Sequence, residues 1–498
     1  MRIRDEVKRV DGTAFPGRIF AEAVLEPVFK TQRDCYYHCF LSISLAHAVM
    51  LREQGILREA EAAEILRGLL QVRKKDFSGV AYDPAYEDMF FMLEKELEGI
   101  IGADLAGRLH IARSRNDIGI CQFRMALREK LLPLMDALAA LMETLLSLAS
   151  EHINTVMPAY THTQPAQPST LAHYLLAFYD SLERDFRRLL DAYRCVNLSV
   201  LGAAAITTTG FPINRERMAA LLGFDGLVEN AYDAIAGVSY LTQTASALSE
   251  LGVDLSRLLK DTLDFCSREH GIFRLADPYV QTSSIMPQKR NPSSLEHARP
   301  IAAAIIAGAQ SVTMLLHNTP FGDMVDAEEQ LQPHLYRSME NAERALRLLS
   351  SNFATMTINT ELLERRAGEG FIAATELADT LVREKGLSFR EAHRLTGAIV
   401  RGMFTRGLNQ RDLTAECLRD ILGNAAPIDL DMVRRALDPV HFIRIRKVTG
   451  GVAPAEVQRM LKARREGFTA LQSTAGELRA RLKEAEAVLE AAVAGCGV

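Results

Sequence analysis

The sequence predicts an all-α protein built around a long central helical bundle, and three observations carry that prediction. Trp is absent, aromatic residues are 7% of the chain, and Ala and Leu are plentiful, a balance that favours helix over sheet. Several segments hold apolar residues at helical spacing for much longer than a strand would run. With 498 residues and 48% hydrophobic content, the chain also has ample material for a large core.

Up to about Ile111, short helices alternate with loops such as SGVAYDPAYED. The first long helix is expected from Ile118 to His152, with Pro133 kinking or breaking it. Further long helices are expected over Leu171 to Val196, Ala231 to Cys266, Leu295 to His317 and Glu328 to Ser351. Their apolar sides carry few charges, so they should pack on one another. Some are apolar over more than one face, which points to burial against identical subunits. From about Glu364 the composition is more charged, and GLSFREAHRLTG and TRGLNQRDLTAE read as short helices joined by Gly turns. Beyond Lys462 comes a last amphipathic helix. The expected division is a mixed, mainly helical domain over 1–112, the long bundle over 113–363, a small helical domain over 364–462 and a helical extension over 463–498.

Lys and Arg total 58 against 63 Asp and Glu, a formal net charge of −5. That lacks the basic excess of a nucleic-acid binder. The start, MRIRDEVKRVDGTAF, has charges where a signal peptide needs an apolar stretch. No uninterrupted apolar run of about 18 residues appears, so no membrane partner is expected. Seven scattered cysteines suit free thiols in a reducing, cytoplasmic setting. Cys35 and Cys39, with His38 between, resemble half a metal site, but no second ligand pair follows and a buried helical face is the better reading. No metal or organic cofactor is expected.

Three polar clusters interrupt the apolar pattern, each where a helix should begin. The first is Arg113-Ser114-Arg115-Asn116-Asp117. The second is Thr161-His162-Thr163-Gln164-Pro165-Ala166-Gln167-Pro168, with Pro168 in a helix-starting role. The third runs from Gln281 to Pro292 through Ser283, Ser284, Met286 and Lys289, ahead of Glu296, with Asn291 as N-cap and Pro292 at the first helical position. Helix N-termini offer unpaired N–H groups to anions, and Arg113, Arg115, Lys289 and Arg290 add cations. Histidine is the side chain suited to proton transfer near neutrality, and a carboxylate such as Glu296 can orient His162. Ser283 can act as a base only where cationic donors lower its pKa, and Lys289 and local N–H groups are candidates. Taken singly, each cluster also reads as an ordinary cap, turn or connector.

At these residues the chain resembles a known family. SSIMPQKRNP looks like the signature loop of the fumarase/aspartase superfamily, and HIARSRND with YTHTQPAQP is similar to the argininosuccinate lyase family. The likeness continues through LGAAAITTTGFPINRE, GFDGLVENAYDAI, ATELADTLVREKGLSFREAH and GGVAPAEV. It implies a fumarase/aspartase-like three-domain fold and a homotetramer with each site built from three subunits. It implies a carbon–nitrogen lyase that removes an amine from an N-substituted aspartate and releases fumarate. Ser283 would be the base, Lys289 and Asn291 would hold the aci-carboxylate, and His162 paired with Glu296 would sit on the leaving-group side. Ser114, Arg115, Asn116, Thr161, Gln164, Ser284 and Met286 would bind substrate.

Departures concentrate on the amine side. After EDM the family's His-x-Asn becomes Phe90 and Met92. Its Asp-Arg pair becomes Gly237 and Val238, and the acidic residue after Asn-Pro becomes Ser293. Its Tyr-Asn-x-Asp-Leu-Gln-Glu-Asp-Lys run aligns with Pro320 to Glu328, which loses the Tyr, Gln and Lys expected to hold the amino-acid end. These changes favour another amine, of aminopolycarboxylate type as in ethylenediamine disuccinate. Argininosuccinate lyase proper is the alternative, and a non-catalytic structural relative is a remote one.

Overall fold

Capping and apolar burial fix where the long helices run in this computed structural model, which describes residues 3–12, 14–423 and 428–498. Helix α1, Tyr37–Glu53, is buried along most of its length. Helix α2, Arg115–Glu151, starts at a capping box. Ser114 has an extended backbone, its Oγ accepts from the Asn116 N–H, and Asp117 reaches back to the Ser114 N–H. Of the two outcomes expected at Pro133, the break does not occur, and the helix continues through it. Leu131, Leu134 and Met135 are fully buried around the proline, and that burial outweighs one lost backbone hydrogen bond.

Helices α3 (Leu171–Val196), α4 (Ser239–Cys266), α5 (Ser293–Leu316) and α6 (Gln332–Thr355) complete the bundle. Helix α2 packs on α3 and α6, α4 on α3 and α5, and α5 on α6. The helix expected from Ala231 is two: Asn230 caps Ala231–Ala236, and the extended Gly237 separates it from α4. The expected start at Glu328 shifts to Gln332, with Pro333 in the first turn. Gly252 lets α4 approach α5, since a Cβ there would lie 2.7 Å from Ile306 Cγ1. Helix α7, Pro454–Ala494, begins earlier than expected because Pro454 supplies its first position. It lies along α2 and α3, and Arg464 grips both Asp180 oxygens at 2.6 Å. One apolar core joins the N-terminal helices, the bundle and α7, while residues 371 to 437 enclose their own.

Two polar clusters take a form not expected. Strands β1 (Val156–Thr161) and β2 (Gln164–Thr170) make an antiparallel hairpin, as do β3 (Gln281–Thr282) and β4 (Arg290–Asn291). Pro168 therefore starts no helix; Thr170 caps α3 by accepting from the His173 N–H. Asn291 is committed to pairing with Gln281, so α5 follows Pro292 without a side-chain cap. Prolines fit these strands because a two-stranded sheet is all edge. Helices α2 and α5 both contain an apolar window of membrane-spanning length, 61% buried in α2 and 28% buried in α5. The difference marks α2 as a core helix and α5 as an open apolar face.

Candidate active site

The start of α2 holds the first cluster rigidly. Asp117 is fully buried. Its Oδ1 accepts from the Ser114 N–H at 3.0 Å, and its Oδ2 from the Gly202 and Ala204 N–H groups at 2.9 and 3.0 Å. Burial pushes its carboxyl up to about 6 in spite of those donors. Gly202 has φ +80°, and a Cβ would meet Arg215 Cγ at 2.7 Å. Asp117 thus ties the 202–205 loop to the helix start, and Asn116 completes the join by donating from Nδ2 to the Ala205 carbonyl at 3.2 Å. Arg115 reaches Glu87 and Asp88 at 3.1 Å each and lies over the Phe91 ring at 4.9 Å. Arg113 is buried against Ser44 at 3.1 Å and Glu94 at 3.5 Å, and burial pushes it down to about 10. It is a structural cation and no part of an open anion pocket.

A cavity of about 340 Å³ opens beside Arg115 and Asn116. Phe90 lines it, and Asp323, Val325, Glu328 and Glu329 form another part of its wall. Glu329 accepts from Gln32 Nε2 at 2.9 Å, and Gln32 Oε1 accepts from the Met89 N–H. Burial, reinforced by Glu329 and Asp323, raises the Glu328 carboxyl above the usual range. Sequence reasoning finds only what is lost over residues 320 to 328. The available signal was Glu328, an acid where the family pattern has Lys.

The other clusters sit elsewhere on the chain. His162 and Thr163, at φ 51° and 63°, form the two-residue tip between Thr161 and Gln164. Such a turn needs left-handed backbone at both positions and normally uses Gly or Asn, so a strained tip presents an exposed His162. In the β3–β4 hairpin, Ser283 Oγ accepts from the Ile285 and Met286 N–H groups at 3.3 and 3.1 Å. Arg290 anchors that hairpin through Asp277 at 2.6 Å and the Leu275 carbonyl at 3.1 Å. Ser284, Met286 and Lys289 are exposed, Asn291 is half-buried, and Glu296 is exposed in the first turn of α5. Among the described residues, no hydrogen bond or ion pair links these groups to one another or His162 to Glu296. At the cysteines, His38 Nε2 lies 3.0 Å from Glu129 Oε2 and 3.3 Å from Cys39 Sγ. Cys39 is fully buried and its thiol is pushed well above its ordinary value, so it stays a thiol.

Comparison with known proteins gives the family. Residues 29–307 match the lyase family model, and residues 371–444 match that of the argininosuccinate lyase C-terminal region. EDDS lyase in complex with formate superposes with a TM-score of 0.87 at 31% identity, over 99% of this chain and 98% of that one. A class II fumarase from Schistosoma mansoni shares the fold at a TM-score of 0.68 and 15% identity, over 85% and 92% of the two chains. The fold is that of the fumarase/aspartase superfamily, and the protein is a carbon–nitrogen lyase that releases fumarate. Argininosuccinate lyase of Methanosarcina barkeri is 40% identical over 424 residues, 85% of this chain and 86% of that protein. Argininosuccinate lyase 2 of Agrobacterium fabrum is 39% identical over 476 residues, 94% of each. The chain belongs to the argininosuccinate lyase family.

Proposed function

We propose that the enzyme eliminates an amine other than arginine, of aminopolycarboxylate type, from an N-substituted aspartate. One observation carries this reading: the cavity beside Asn116 is walled in part by Phe90, Val325 and Glu328, and Val325 and Glu328 stand where the family pattern has the Gln and Lys that would hold the amino-acid end of arginine. The likeness to EDDS lyase supports it. Argininosuccinate lyase proper is the second reading, favoured by the relatives of that name at about 40% identity.

In the proposed reaction Ser283 removes the proton beside a substrate carboxylate. Two N–H donors already reach its Oγ, and such donors favour the alkoxide. Lys289 and Asn291 hold the aci-carboxylate, since a dianionic intermediate needs fixed cations and hydrogen bonds. His162, oriented by Glu296, protonates the departing nitrogen. Ser114, Arg115, Asn116, Thr161, Gln164, Ser284 and Met286 position the succinyl part. Among the described residues no hydrogen bond or ion pair joins these clusters to one another, and the reading includes a homotetramer with shared sites, in which the open face of α5 is covered. Seven free thiols suit a cytoplasmic setting. Incubating fumarate with a panel of amines and weighing the products by mass spectrometry tests the reading. It predicts adducts with amines other than arginine, diamines among them; an adduct with arginine alone overturns it.

A further inference from the structure

We infer that Glu328, together with Asp323 and Glu329, selects the amine by charge, taking amines that carry a second, cationic nitrogen a short chain away from the reacting one. This rests on the proposed function and sharpens it, because it states which end of the amine this wall meets.

The cavity gives its acids unequal company. Asp88 and Glu87 are both matched by Arg115 at 3.1 Å. Among the described residues, Asp323, Glu328 and Glu329 form no ion pair with any Lys, Arg or His, and Glu329 has the neutral amide of Gln32. Asp323 sits on a loop fastened by Tyr232, whose ring stacks on Phe321 at 5.6 Å and whose OH donates to the Phe321 carbonyl at 3.1 Å. Burial first, and then repulsion from the neighbouring Glu329 and Asp323 carboxylates, make the Glu328 carboxyl hold its proton to higher pH. An ammonium group arriving there relieves the repulsion and gains charge-assisted hydrogen bonds. A methyl group leaves the crowding as it was, and a carboxylate adds to it. The cavity's apolar lining, Phe20, Val24, Leu25 and Val28, leaves a surface for the connecting methylene groups. Glu328 also stands where the family pattern has lysine, so the charge offered to the amine is reversed.

The test uses the full-length enzyme with fumarate and three amines of matched length: ethylenediamine, propylamine and β-alanine, with arginine as a fourth. Wild type is expected to favour ethylenediamine over propylamine by roughly tenfold or more in kcat/KM, the worth of a hydrogen bond to a charged group, and to use β-alanine least. Glu328→Gln is expected to erase most of that ratio, and Asp323→Asn gives a second reading of the same ratio should Glu328→Gln fold poorly. Equal use of ethylenediamine and propylamine, or a ratio unchanged in both variants, overturns the inference alone. A uniform fall in all rates with the ratio intact does so too, and marks Glu328 as the partner of a cation on another subunit. Addition of arginine with none of the other amines overturns the proposed function and this inference with it.

Discussion

Ser283 and Asp117 show two ways a residue can serve the same chemistry. Ser283 is expected to touch the reacting proton, so Ser283→Ala lowers turnover by roughly 10²–10⁴-fold, the usual worth of a positioned acid or base, while fumarate binds with similar affinity. Steady-state rates and fumarate titration check this; near-normal turnover would move the base to another group. Asp117 acts through its neighbours. Its two oxygens accept three N–H groups, and a carboxamide in its place would turn an NH₂ toward one of them. Asp117→Asn is therefore expected to cost about 1–3 kcal/mol of stability and to raise KM through Asn116, measured by denaturant melts beside kinetics. The three polar clusters stand out in an apolar chain, but singly each reads as a cap, turn or connector, and only the family resemblance proposes roles for their residues. Asp117 reads in the sequence as part of a cap, and its ties to Gly202 and Ala204 could not be seen, since 85 residues of chain separate Gly202 from it.

The long helices were legible because apolar periodicity is a local signal that tertiary packing reinforces: Leu171–Val196 runs as expected. Their ends were less so. The two hairpins were missed because each rests on very short strands, and the Pro-rich run from Thr161 to Pro168 has no alternation that betrays a strand. Packing between α3 and α4 supplies a prediction that no single helix contains. Asp185 is fully buried, bonded to Arg188 at 2.8 Å on one oxygen and without a partner for the other among the described residues. Burial, with Asp254 and Glu250 nearby, pushes its carboxyl from 3.8 to about 7. The folded state then binds the proton more tightly than the unfolded chain, so this group's contribution declines as pH rises from about 4 to about 7 and is flat above. Asp185→Asn keeps an acceptor for Arg188 and removes that decline, on the order of a few kcal/mol at about 1.4 kcal/mol per pH unit. Melting curves across that pH range check it; an unchanged pH slope in the variant would contradict the assignment.

In the whole molecule, the lack of any hydrogen bond joining His162, Ser283 and Asn116 among the described residues and the open apolar face of α5, where Met314 is 71% exposed, ask for the same remedy. The proposed tetramer would bury α5 and bring the three clusters together from different subunits, and light scattering is expected to give four times the mass of one 55.2 kDa chain. A stable monomer at working concentration would remove the shared site. Family and reaction were legible in the sequence because the fumarate-making motifs are intact, whereas the amine side could be read only as losses until the fold placed Glu328, Glu329 and Asp323 on one wall. On the proposed function this wall does not serve arginine. The most direct measurement is kcat/KM for argininosuccinate beside that for ethylenediamine disuccinate, followed by the ultraviolet absorbance of fumarate. The account predicts a value for argininosuccinate well below about 10⁴ M⁻¹s⁻¹, the lower end of ordinary enzymes, and a higher one for the disuccinate. Efficient cleavage of argininosuccinate above that level, with the disuccinate untouched, would contradict it.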